Sequence, residues 1–145
     1  MIDTRYYNEI ASINPHRYPF AFVDCLLHEK EEKKIRGIKN ISCNDRFQNS
    51  GTSLLICESL AQLSKLLDHK MSNRLYQKSK VSFLTRIDVK WFGTVKVGDR
   101  VFLDAEFVRE VHEMRSYKVS AEVEGKIILS GSIFRKIEEG QVGKN

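Results

Sequence analysis

The chain has 145 residues, of which 41% are hydrophobic and 30% charged, with 8 Gly and 2 Pro. That is apolar material for one sizeable core in a single domain, and it excludes disordered, collagen-like and low-complexity classes. Lys and Arg outnumber Asp and Glu by 24 to 19, a formal charge of +5, which points to an acidic partner: nucleic acid, an anionic membrane surface, an acidic protein or a phosphorylated substrate.

In chain order, Thr4 to Ser12 reads as a short helix with Tyr7 and Ile10 on one side. It is broken by Asn14-Pro15-His16-Arg17-Tyr18-Pro19, where the two prolines disfavour helix before them. Phe20 to His28 is apolar and reads as a buried strand. A charged turn, Glu29 to Lys34, leads into a second strand over Lys33 to Ser42, giving a hairpin. After a polar loop, Asn44 to Gly51, the spacing predicts one long helix from Thr52 to about Lys70. Thr52 or Ser53 caps it, and Ile56, Leu60, Leu63 and Leu67 share one face. Four strands follow: Lys80 to Trp91, Val101 to Val111, Arg115 to Val123 and Lys126 to Ile137. Val97-Gly98-Asp99 and Glu124-Gly125 supply turns. The order predicts an α+β domain over residues 1–138, with 1–12 as a short N-terminal helix and 139–145 as a flexible tail.

No run approaches the roughly 18 apolar residues of a membrane-spanning helix, and Met1 to Tyr7 lacks a signal-peptide core. The chain therefore reads as cytoplasmic. Cys25, Cys43 and Cys57 form no C-x-x-C pair. His16, His28, His69 and His112 are scattered, and glycine-rich phosphate loops are missing. Neither a metal nor a nucleotide cofactor is expected.

The helix carries one acid among apolar neighbours, Glu58, which shares a face with Gln62 and Lys65. Periodicity alone makes this a solvated row opposite the apolar stripe. Were both faces of the helix covered, Glu58 in an apolar cleft would suit a general acid, and the unpaired N–H groups around Gly51 to Leu54 would polarise a carbonyl. His16 in its turn reads first as structural, and His112 as a solvated hairpin tip. Trp91 reads as core or pocket lining, and Cys57 as small buried filler rather than a nucleophile.

Four segments together are more specific. Ile13 to Asp24, containing Pro15-His16-Arg17-Tyr18-Pro19-Phe20, resembles the L-P-H-R-Y-P-F-x-x-V-D opening of the FabZ-like 3-hydroxyacyl-acyl carrier protein dehydratases. Ile38 to Asn44 is similar to that family's A-x-K-N-V-[ST]-x-N strand, and Glu58-Ser59-Leu60-Ala61-Gln62 to its E-A-[LM]-A-Q helix. Lys90-Trp91 followed by Val97-Gly98-Asp99 resembles its R-F-x-x-P-V-x-P-G-D strand and turn. The resemblance spans most of the chain in order. It implies a hot-dog fold, a curved antiparallel sheet wrapped around one long helix, paired into a homodimer or higher oligomer. It also implies an acyl thioester substrate on the phosphopantetheine of acyl carrier protein or coenzyme A, with no further cofactor. Acyl carrier proteins are acidic, so the charge of +5 becomes a docking expectation. A nucleic-acid-binding module has no RNA-reading aromatic motif or Arg-clustered recognition helix to support it.

One departure bears on function. The family's loop before the helix, G-H-F-P-G-x-P, carries the histidine that removes the α-proton, while the helix Glu protonates the departing β-hydroxyl. Here Phe47-Gln48-Asn49-Ser50-Gly51 runs into Thr52-Ser53-Leu54 without a histidine, which also resembles the dehydratase-like proteins of aryl-polyene gene clusters. Three readings stay open. In the first, a dehydratase, Glu58 works with His16 or with a histidine from a partner subunit. In the second, a hot-dog thioesterase, Glu58 activates water. The third is a catalytically silent acyl-thioester-binding subunit. In all of them Glu58 is the central residue, and Thr52, Ser53, Gln62 and Trp91 are the expected substrate contacts.

Overall fold

The computed structural model describes residues 22–27, 29–42, 52–71 and 80–139. The expected helix over Thr4 to Ser12, His16, Cys43, the loop before the long helix and residues 140–145 lie outside them.

Six strands and one helix are described: β1 (Cys25–Leu27), β2 (Lys34–Asn40), α1 (Thr52–Met71), β3 (Lys80–Trp91), β4 (Arg100–Val111), β5 (Met114–Val123) and β6 (Lys126–Glu139). Every strand pairing is antiparallel, and the sheet order is β1-β2-β4-β5-β6-β3. This is the hot-dog architecture the resemblance implies. Period-two alternation puts Val101, Leu103 and Ala105 of β4, Tyr117, Val119 and Ala121 of β5, and Leu129 and Ile133 of β6 on one face. That face closes over Ile56, Leu60, Leu63 and Leu67 of α1, all fully buried.

Two glycines set how tightly the layers close. A Cβ on Gly37 of β2 would stand 3.1 Å from Leu63 Cδ1 and 3.2 Å from Val23 Cγ1, so the helix presses on the sheet there. A Cβ on Gly131 of β6 would stand 2.1 Å from the Asp88 carbonyl oxygen and 2.6 Å from Val89 Cα. Only a bare Cα lets β3 lie so close across β6. At its far end α1 is tied to the β1–β2 turn by Lys70, whose ammonium donates to the carbonyls of Glu29 (3.0 Å), Glu31 (2.9 Å) and Lys34 (2.6 Å).

The first expected strand is shorter than the apolar run Phe20 to His28. Phe22 and Val23 are core residues, but the Phe22 N–H donates to a helix side chain, Gln62, and pairing begins only at Cys25. The turn at Glu124-Gly125 has positive φ at both positions (50° and 81°), the two-residue hairpin geometry its sequence announces. The same geometry recurs at His112-Glu113 (50° and 65°), where no glycine signals it.

Candidate active site

At 100° per residue, α1 is packed around most of its circumference. The buried arc includes not only the apolar stripe but also Ser59, Gln62 and Ser64. The remaining arc, half-buried to exposed, carries Leu54, Cys57, Glu58, Ala61, Lys65 and Asp68. The expectation of a solvated polar row is therefore corrected. Gln62 is only 2% exposed and Glu58 is half-buried, because the segment around Phe22 covers the flank of the helix that periodicity left open.

Gln62 fixes the orientation of Glu58. Its Oε1 accepts the Phe22 N–H at 2.9 Å, which turns the amide's NH2 end toward the carboxylate, and Nε2 donates to Glu58 Oε1 at 3.2 Å. The amide acts between a backbone donor and a carboxylate, so Gln62 positions Glu58 rather than offering a free substrate contact. Oε2 of Glu58 remains the oxygen available for a proton. Burial pushes the neighbouring Cys57 thiol up, which keeps it protonated and a poor nucleophile, as filler should be.

Thr52 and Ser53 open α1, less than two turns before Glu58, and the first-turn amides have no partner within the helix. Their side chains lie outside the described residues. Trp91 ends β3, paired with Leu129, and packs half-buried against the core. His112 is exposed in its hairpin turn. Two motif residues prove structural: Asp24 Oδ2 accepts the Asn40 N–H at 2.7 Å and faces Lys39 Nζ at 3.7 Å, locking β2 to the segment before β1. The Gly98-Asp99 turn likewise bonds to Ile41 in both directions, at 2.9 Å each.

A second polar cluster lies further along α1, and motif reading missed it. Asp68 accepts from the Tyr117 hydroxyl and from Arg115 Nη1 (2.9 Å), and its second oxygen stands 3.4 Å from Arg135 Nη1. Arg135 also donates to Ser64 Oγ at 3.3 Å. Burial, and then the Asp68 charge, push the Tyr117 phenol well above its ordinary range, so it stays a donor. The sequence signal was available: Arg115, Tyr117 and Arg135 occupy inward positions of strands whose other inward residues are apolar.

Among the described residues no group of three or more His, Cys, Asp or Glu is placed to hold a metal, and no helix is long and apolar enough to cross a membrane.

No family model matches the chain. It is 31% identical over 139 residues to the 3-hydroxyacyl-[acyl-carrier-protein] dehydratase FabZ of Thiobacillus denitrificans, covering 90% of this chain and 96% of that one. To the FabZ of Listeria monocytogenes it is 34% identical over 133 residues, covering 86% and 90%. The chain belongs to the FabZ family. Among solved structures, the dehydratase heterocomplex ApeI:P from Xenorhabdus doucetiae superposes with a TM-score of 0.75 at 13% identity, over 90% of this FabZ-family chain and 91% of the other. That likeness is one of fold.

Proposed function

We propose that this FabZ-family protein dehydrates 3-hydroxyacyl thioesters carried on acyl carrier protein, in fatty-acid or related lipid synthesis in the cytoplasm, with Glu58 as general acid. The observation that carries this reading is the Phe22–Gln62–Glu58 chain of hydrogen bonds, which holds one carboxylate oxygen and leaves the other to protonate the departing β-hydroxyl. The first-turn amides at Thr52 and Ser53 polarise the thioester carbonyl, and Trp91 lines the acyl chain. No separate cofactor enters the reaction; the phosphopantetheine arm presents the substrate.

The functional unit is an oligomer. The 12-residue strand β3 lies at a sheet edge, and Phe83 and Leu84 on it are 49% and 44% exposed. An open edge of that length favours pairing with a second chain. The base is supplied by His16 or by a histidine of a partner subunit. The partner arrangement draws support from the heteromeric composition of ApeI:P and from the lack of histidine in residues 47–54.

Incubation with a 3-hydroxyacyl-acyl carrier protein, alone and with candidate partner subunits, tests the reading by mass. Loss of one water is expected, and Glu58→Gln should slow it by about a hundredfold or more. Free acid that disappears in Glu58→Ala indicates a thioesterase instead, and binding without turnover indicates a silent subunit. Either result overturns the dehydratase reading.

A further inference from the structure

Strand β3 ends the sheet, so one side of it has no neighbour among the described residues. The Phe92 N–H donates across to the Ile128 carbonyl of β6 at 2.8 Å. Backbone groups alternate in direction along a strand, so Arg86, Asp88 and Lys90 also turn theirs toward β6, opposite Phe134, Ser132 and Ser130. The N–H and C=O groups of Ile87, Val89 and Trp91 therefore point to the open side. The side chains of these three face the helix layer, half-buried against the core. Those of Arg86, Asp88, Lys90 and Phe92 stand exposed on the outer face. Inward-pointing charges or a proline would bar a neighbour from such an edge. Between Arg86 and Phe92 the strand has neither.

A second copy of this chain can pair antiparallel with that edge about a two-fold axis normal to the sheet, and few registers suit it. A slip of one residue sets inward side chains against outward ones. Centred on Asp88, the axis sets Asp88 against itself and Arg86 against Lys90, like charges in both rows. Centred on Arg86 or Lys90, it sets a cation against itself. Centred on Ile87, it sets Arg86 against Asp88 but runs at once into the bulge between Leu84 and Arg86. Trp91 is the last residue of β3, so an axis there leaves little strand to pair. Centred on Val89, every row from Arg86 to Phe92 matches. Asp88 lies opposite Lys90, Ile87 opposite Trp91, and Arg86 opposite the ring of Phe92, which is 59% exposed. The open backbone groups of Ile87, Val89 and Trp91 then meet those of Trp91, Val89 and Ile87. The Arg86–Asp88 ion pair at 2.9 Å is kept, since it runs along one strand.

We propose that β3 selects a second copy of this chain, paired in the register centred on Val89, with two reciprocal Asp88–Lys90 contacts fixing that choice. The inference rests on the oligomer proposed above and names its partner. It sets Trp91 of each chain against Ile87 of the other on the helix side of the joined sheet, so the wall proposed to line the acyl chain is completed across the two-fold axis. A histidine-bearing subunit of different sequence then has no place on this edge.

Sedimentation and native mass spectrometry of the full chain test this. The wild type should be a dimer or an even multiple of one. Asp88→Lys and Lys90→Asp should each raise the dissociation constant about tenfold or more, because both opposite-charge rows become like-charge rows. The double variant Asp88→Lys/Lys90→Asp should restore the wild-type value. Asp88→Lys mixed with isotope-labelled Lys90→Asp should form a dimer of intermediate mass in preference to either variant pairing with itself, which also shows that both variants fold. Weakening by Asp88→Lys but not by Lys90→Asp overturns the register, as does a dimer indifferent to both. A chain that associates only with a subunit of different sequence overturns self-pairing and leaves the oligomer standing. A wild type that stays monomeric at every concentration overturns the oligomer as well.

Discussion

Asp68→Asn is the sharpest probe of what holds α1 against β5 and β6. The substitution keeps the size of the side chain and removes its charge. Asp68 is 13% exposed, Arg135 4% and Arg115 17%, so all three are poorly solvated. Arg115 keeps Glu110 at 3.0 Å, whereas Arg135 is left with only Ser64 Oγ at 3.3 Å. One stranded guanidinium is thus the main cost. Removing one member of a buried pair costs about 3–5 kcal/mol, and the retained Glu110 contact puts the expectation near ~3 kcal/mol. For a domain of this size, each kcal/mol moves the melting temperature by roughly 2–4 °C, so a drop of about 10 °C is expected in a thermal melt. The double variant Asp68→Asn/Arg135→Met removes the stranded charge as well and should recover most of the loss. A loss below about 1 kcal/mol, or a double variant whose cost is the sum of the two singles, refutes the argument that charge burial dominates here.

Gln62→Leu deletes the acceptor of the Phe22 N–H and the donor to Glu58 together. It should cost about 1–3 kcal/mol in urea unfolding and lower kcat for dehydration; unchanged stability would show that the Phe22 bond is not formed. Gly131→Ala should destabilise more than Gly37→Ala. Its Cβ would meet backbone at 2.1 Å, whereas that of Gly37 would meet side chains at 3.1 Å and 3.2 Å and a carbonyl at 3.2 Å. Urea midpoints ranked the other way would contradict the close approach of β3 to its neighbour β6 at Gly131. Lys65 sits below its ordinary 10.5 when folded. Between that lowered value and 10.5 the unfolded chain binds more protons, so stability rises with pH through this window. Relative to Lys65→Met, the wild-type protein should gain stability as the pH climbs toward 10.5, and a flat difference in chemical-denaturation curves would count against the burial of Lys65.

Much of this protein was legible from one dimension. Apolar residues spaced by turns of a helix bounded α1 to within one residue of its end at Met71, and alternation placed β3 to β6 with similar accuracy. The motif Glu58 to Gln62 singled out one stretch of that helix, because an acid set among apolar residues is a local feature. Periodicity could not say that the polar flank of α1 is covered. Covering it takes the segment around Phe22, which lies 40 residues from Gln62 in the chain and meets it only when the sheet wraps the helix. The Asp68, Arg115 and Arg135 cluster escaped for the same reason. The two arginines stand out on the inward faces of their strands, but the charge balance that keeps them there exists only where β5, β6 and α1 converge. Composition and local spacing determined the elements and their α+β order, and the family resemblance pointed to the hot-dog fold and to Glu58. Long-range packing decided which polar groups lost their water, and desolvation is what ties Gln62 to Phe22 and Arg135 to Asp68.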